Sequence, residues 1–225
     1  MNKTIISLGG SLIVPDEIDT VFLKKFRELV LSHVKKGKSF FIICGGGKIT
    51  REYQEASSEI TKLTREDLDW LGIHSTRLNA HLLRTIFRKE SHPNIVKNPT
   101  KKINLKKKIL IAAGWKPGCS TDYDAVLLAK NFRIKTIVNL TDIDYVYDKD
   151  PKKHKNAKPI KQISWRKFRK IVGDRWDPGM NVPFDPVASK EAEKAGLKVI
   201  ILNGNNSKNL DDFLNGNRFK GTIIK

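Results

Sequence analysis

Cysteine is scarce in this chain of 225 residues, where Cys44 and Cys119 are the only two. One pair cannot staple a small secreted scaffold, and no CxxC or Cys/His cluster offers zinc its ligands. A reducing, cytoplasmic compartment is the simplest expectation. Long apolar runs are missing too. A bilayer span needs about 20 consecutive apolar residues, and no run approaches that. The first residues, Met1 to Ser7, enter a glycine turn as a strand rather than forming a signal peptide. A soluble protein with no membrane partner is expected. Acids are the third shortage: 24 Asp plus Glu face 43 Lys plus Arg, for a net charge of +19. Nucleic acid or an anionic substrate could use that excess. Yet the lysines (Lys35, Lys36, Lys101, Lys102, Lys106 to Lys108, Lys152, Lys153) are scattered rather than gathered in one recognition helix. No aromatic platform is interleaved with them. Nucleic acid is therefore not expected as the main partner.

What is present is a folding chain. Hydrophobic residues make up 39%, too many for a disordered polymer. The length suits one large domain that needs no staples. Strand and helix signals alternate. Lys3–Leu8 and Ser39–Cys44 are short apolar runs of the kind buried on both faces of a parallel sheet. Residues 109–113, 135–140, 197–202 and 222–224 continue the series. Helical spacing is found over 18–36, where Phe22, Phe26, Leu29, Val30 and Val34 share a face and Gly37 ends the pattern. It recurs over 66–88, 122–131, 164–172 and 185–195, with another helix starting near Lys48. Residues 97–108 read as a lysine-rich surface connection, and 141–163 as loop. The alternation predicts a three-layer α/β/α sandwich with a mainly parallel central sheet, as one domain over residues 1–225.

Three of the buried strands end in glycine-rich turns: Leu8-Gly9-Gly10-Ser11, Cys44-Gly45-Gly46-Gly47, and Ala113-Gly114 through Gly118. Ligands of open α/β sheets gather at the carboxyl ends of strands. Glycine lets a backbone approach a ligand closely, and a helix starting just afterwards adds its positive dipole end. Three such turns on one edge would seat several phosphates. The Walker motif GxxxxGK[ST], the dinucleotide motif GxGxxG and the protein-kinase motifs are absent.

The residues around these turns form a recognisable set. Gly9-Gly10-Ser11, Gly45-Gly46-Gly47 with Lys48 and Arg51, Ser120-Thr121-Asp122, and residues 141–147 followed by Asp150-Pro151 together resemble the amino-acid kinase superfamily. Asp69-Trp70-Leu71-Gly72 and Thr76-Arg77-Leu78-Asn79-Ala80 are similar to the archaeal-type UMP kinases within it. That resemblance implies transfer of the γ-phosphoryl group of ATP to UMP, with Mg²⁺ as cofactor and a homohexamer as the assembly. The part up to about residue 130 would bind the acceptor, and the part from about 131 would bind ATP.

By the same resemblance, Ser7, Leu8, Gly9, Gly10, Ser11 and Gly47 would surround the ATP phosphates, with Thr141, Tyr147 and Asp150 near the base and ribose. Gly46, Asp69, Gly72 and the loop Trp115, Lys116, Pro117, Gly118, Cys119, Ser120 and Thr121 would hold UMP. Arg51 would lie near the transferred group, where its fork suits phosphate better than a lysine does. Asp122 and Asp144 are candidates for magnesium or for orienting cations, and either could instead be a helix cap or turn residue. No metal site made of protein ligands alone is expected.

The chain also departs from the family pattern. Ser7 stands where many members carry lysine, which removes a cation from the transferring phosphate. Lys116 is the candidate replacement. Tyr145 stands where glycine is frequent, which bears on donor preference. Residues 173–184, with Trp176, Pro178 and Pro183, replace a glycine/serine-rich stretch and are a candidate lid. Two other functions fit the same residues: a catalytically weak relative that binds nucleotide or oxoanion, and a kinase for another small acceptor.

Overall fold

Each glycine turn follows a strand whose side chains are shut off from water on both faces. In the computed structural model, residues 3–149, 151, 153–175 and 182–225 are described. The chain runs β1 (Lys3–Leu8), α1 (Gly10–Ile13), α2 (Thr20–Lys35), β2 (Ser39–Cys44), α3 (Lys48–Ile60), α4 (Arg65–Ile86), β3 (Ile109–Ala112), α5 (Thr121–Asn131) and β4 (Thr136–Thr141). It continues with β5 (Val146–Tyr147), β6 (Pro159–Ile160), β7 (Gln162–Ile163), α6 (Trp165–Val172), α7 (Pro186–Lys194), β8 (Lys198–Asn203), α8 (Ser207–Asn215) and β9 (Thr222–Ile224). Seven strands form one sheet in the order β3-β2-β1-β4-β8-β9-β7, and β5 pairs with β6 as a separate ribbon. The first five of the seven are parallel, while β9 runs antiparallel to β8.

Alternation along the strands builds the three layers. Ile6, Leu8, Phe40, Ile42 and Ile111 face one side with Phe26 of α2, Leu83 of α4 and Phe213 of α8. Ile5, Phe41, Ile43, Leu110 and Ile137 face the other, with Val126 of α5, Phe168 of α6 and Ala188 of α7. The α/β/α sandwich read from the sequence is thus the fold. Helix α2 starts later than its periodicity because Asp19 caps it, accepting from Phe22 N at 2.8 Å. Helix α4 opens on a capping box between Thr64 and Asp67.

Several elements had no clear sequence signal. Helix α8 is short and polar, so its two buried leucines and Phe213 are a weak pattern. The ribbon β5–β6 lies inside the stretch read as loop. Residues 97–108 carry exposed lysines as expected, but Ile103 and Leu105 pack against the second core. Asp150 and the middle of the candidate lid, residues 176–181 with Trp176 and Pro178, lie outside the described residues.

Candidate active site

The parallel register sets the turns after β1 and β2 side by side, since Leu8 is paired with Cys44. They then touch backbone to backbone. Gly9 N donates to Leu140 O at 2.8 Å and Gly45 N to Leu8 O at 2.8 Å. A Cβ on Gly10 would lie 2.0 Å from Gly47 N, so no side chain fits there. Gly47 has φ +73°, a conformation that favours glycine, and it leads directly into α3.

Helix α4 clamps both the second and third turns. Asn79 Nδ2 donates to Gly45 O at 2.8 Å and to Gly46 O at 3.0 Å. Thr76 Oγ1 accepts from Gly114 N at 2.9 Å, and Arg77 Nη2 donates to Trp115 O at 3.0 Å. From the other side Asp124 Oδ2 accepts from Trp115 N at 3.0 Å. Asp69 closes the loop by accepting from Gly118 N at 2.8 Å. Ser120 caps α5, its hydroxyl accepting from Tyr123 N.

These turns share one open cleft of about 590 Å³. Its lining includes Ser7, Gly9, Gly10, Ser11, Gly46, Gly47, Arg51, Asp69, Gly72, Cys119, Ser120, Thr121, Asp122 and Thr141 from the sequence-derived set. Leu8, Trp115, Lys116, Pro117, Gly118 and Tyr147 are not part of the lining. Leu8 is core. Lys116 turns its Nζ over the Trp115 ring, 4.4 Å from the centroid. Tyr147 sits on β5 opposite Pro159. Asp144 accepts from Asn203 Nδ2 at 3.0 Å and does not line the cleft.

The floor is acidic. Ser7 Oγ donates to Asp122 Oδ1 at 2.9 Å, and Asp185 N donates to Asp122 Oδ2 at 3.1 Å. Desolvation, then the charge of Asp185, push the Asp122 carboxyl up to about 7. Burial likewise raises Asp124 to about 7, against the pull of its bond from Trp115. Asp185 is raised by burial too. Cys119 is held up at about 11 mainly by burial, so its thiol keeps its proton at neutral pH. Arg51 is the only cation among the described residues of the lining.

Several of these residues carried no functional signal in the sequence. Asp185 reads there simply as the start of a helix, and in the structure it does cap α7 by accepting from Ala188 N. Asn139 lies beside Ser7 in the β1–β4 register and holds Pro183 O at 2.7 Å. Thr50 and Gln54 also line the cleft from α3. Sheet order brings Asn139 beside Ser7, and the start of α7 brings Asp185 to Asp122.

A family model, the amino acid kinase family, matches residues 2–203. The chain belongs to that family. Its members include close relatives of this chain. A uridylate kinase of Thermococcus sibiricus is 33% identical over 99% of both chains. One of Thermoplasma volcanium is 34% identical over 93% of each. Among solved structures, the uridylate kinase from Archaeoglobus fulgidus superposes with a TM-score of 0.84 at 29% identity over the full length of both chains. The UMP kinase from Bacillus anthracis, 21% identical with a TM-score of 0.79, shares the fold.

Proposed function

We propose that the chain transfers the γ-phosphoryl group of ATP to the α-phosphate of UMP, giving UDP and ADP. The observation that carries this reading is the single cleft in which amide-lined turns from three adjacent strands converge. The full-length likeness to uridylate kinases supports UMP as the acceptor. The acceptor oxygen is already anionic at neutral pH, so no general base is required. Positioning and charge neutralisation supply the catalysis. Residues up to about 130 supply the acceptor side together with the turn that meets the ATP phosphates, and residues from about 131 supply the adenosine end.

Gly10 and Ser11, at the start of α1, offer N–H groups to the ATP phosphates, while Gly9, whose own N–H is held by Leu140 O, shapes the turn beside them. Gly46 and Asp69 hold UMP, and Arg51 spans the transferred group from α3. Tyr147 and Asp150 belong to the adenosine end. Lys116 leaves the Trp115 ring and reaches the phosphates when nucleotide is bound. Asp122 orients this cationic set from below, through Ser7. Four carboxylates, Asp69, Asp122, Asp142 and Asp185, line the cleft, and no group of three Asp, Glu, His or Cys among the described residues could cage a metal. Those donors fit magnesium held mostly by phosphates and water. Bound with ATP, magnesium would neutralise phosphate charge.

A coupled assay of ADP release tests this reading, with UMP, CMP and carbamate compared, with and without Mg²⁺. UMP should be preferred by k_cat/K_M, and turnover should require the metal. A second reading is favoured by Ser7 and by Arg51 as the one cation among the described lining residues: a relative that binds nucleotide without turnover. Tight UMP and ATP binding with no ADP release would select it.

A further inference from the structure

Six lysines that are far apart in the sequence meet at one edge of the fold. In a parallel sheet, the residue preceding every strand lies on the same edge, opposite the carboxyl ends that form the cleft. Here that residue is repeatedly lysine: Lys108 before β3, Lys38 before β2, Lys3 opening β1, Lys135 before β4 and Lys198 opening β8. Antiparallel β9 brings Lys225 to the same edge, because Val199 is paired with Ile224. The registers of Lys3 with Ser39, Phe40 with Ile109, and Thr136 with Lys198 keep these ends nearly level. At roughly 4.8 Å per strand the row spans about 24 Å.

All but half-buried Lys38 are exposed, and none of them is in an ion pair among the described residues. At the β3 end the row widens into a groove of about 390 Å³. Lys3, Lys106, Lys107 and Lys108 line it beside Ser39, with Glu90 as the one acid. The apolar residues of the groove are Val34 and Leu105, both aliphatic. A site of this kind offers charge to phosphates but no aromatic face on which an unstacked base could rest.

We infer that this edge binds the phosphate backbone of a double-helical nucleic acid, without reading its sequence. A duplex presents its phosphates while its bases remain stacked, which matches a row of cations without aromatics. The surface lies at the opposite end of the strands from the cleft and acts independently of the phosphoryl transfer proposed above.

Fluorescence anisotropy with a labelled 24-base-pair duplex, as DNA and as RNA, tests the inference across a salt series. On duplex DNA the log–log salt slope falls by about 0.9 for every phosphate neutralised. The triple variant Lys3→Gln, Lys106→Gln, Lys108→Gln should weaken binding at low salt by more than about tenfold and flatten the slope by about 2 to 3. Its UMP kinase turnover should stay unchanged. A control that removes the same charge elsewhere, Lys153→Gln, Lys155→Gln, Lys158→Gln, should retain most of the affinity and slope. Equal losses in both variants would show bulk charge alone and overturn the inference. So would displacement of the duplex by ATP plus UMP, absence of binding at low salt, or binding only to phosphatidylglycerol vesicles.

Discussion

Ser7 and Asp122 meet at the floor of the cleft, where family members often place a lysine. The hydroxyl can orient the carboxylate but cannot neutralise it, so the cation for the transferring phosphate must come from elsewhere. Replacing Lys116 by Ala should lower k_cat by about tenfold or more, the order expected for losing one charge-assisted contact. K_M should change less. Unchanged turnover in a steady-state assay would exclude Lys116 from that task. The two raised carboxyls bear on stability. Asp122 and Asp124 hold their protons to about pH 7 in the folded chain, against 3.8 for an ordinary aspartate. Between those values the folded state binds more protons than the unfolded one, so this contribution to stability declines as pH rises. The slope is at most about 1.4 kcal/mol per pH unit per group. Asp124→Asn retains an acceptor for Trp115 N and should flatten the fall of the melting temperature between pH 5 and 7.5. A variant whose pH profile parallels the parent would contradict the assignment.

Helix α4 is the element that ties the second and third glycine bends into one site. Its Asn79, Thr76 and Arg77 hold the second and third turns through hydrogen bonds to their backbone. Asn79→Ala leaves the carbonyls of Gly45 and Gly46 without their donor, a cost of about 1–3 kcal/mol. Denaturant unfolding should register that loss, and K_M for UMP should rise. By contrast, Thr64→Ala removes only the cap at the far end of the same helix. It should cost about 1 kcal/mol of stability and leave K_M nearly unchanged. If both variants lowered stability but neither moved K_M, α4 would be a scaffold with no influence on the turns.

The assembled molecule places its apolar surplus away from the cleft floor. Tyr53 and Ile60 on α3, with Trp70 and Leu78 on α4, are 61%, 86%, 39% and 59% exposed. If the homo-oligomer that the family resemblance implies forms, this pair of helices is an apolar surface available to it. Light scattering should give a mass that is a multiple of 25.6 kDa. Leu78→Asp should shift it toward the monomer. A parent protein already monomeric at micromolar concentration would remove the need for that contact.

Much of this protein is legible from local pattern. Buried strands announce themselves as short apolar runs, amphipathic helices as a 3.6-residue period, and the cleft-lining turns as glycines at strand ends. These signals are local because backbone sterics and alternating burial are local. The floor of the cleft is different. Ser7, Asp122 and Asp185 are far apart in the chain and meet because β1 and β4 are neighbours and α5 and α7 lie on the same face. The row of lysines has the same origin: each looks like a solvated residue at the end of its strand, and the order and direction of the strands line them up. Strand order and direction depend on contacts between distant segments, so residues brought together in this way acquire a common role only once the sheet is assembled.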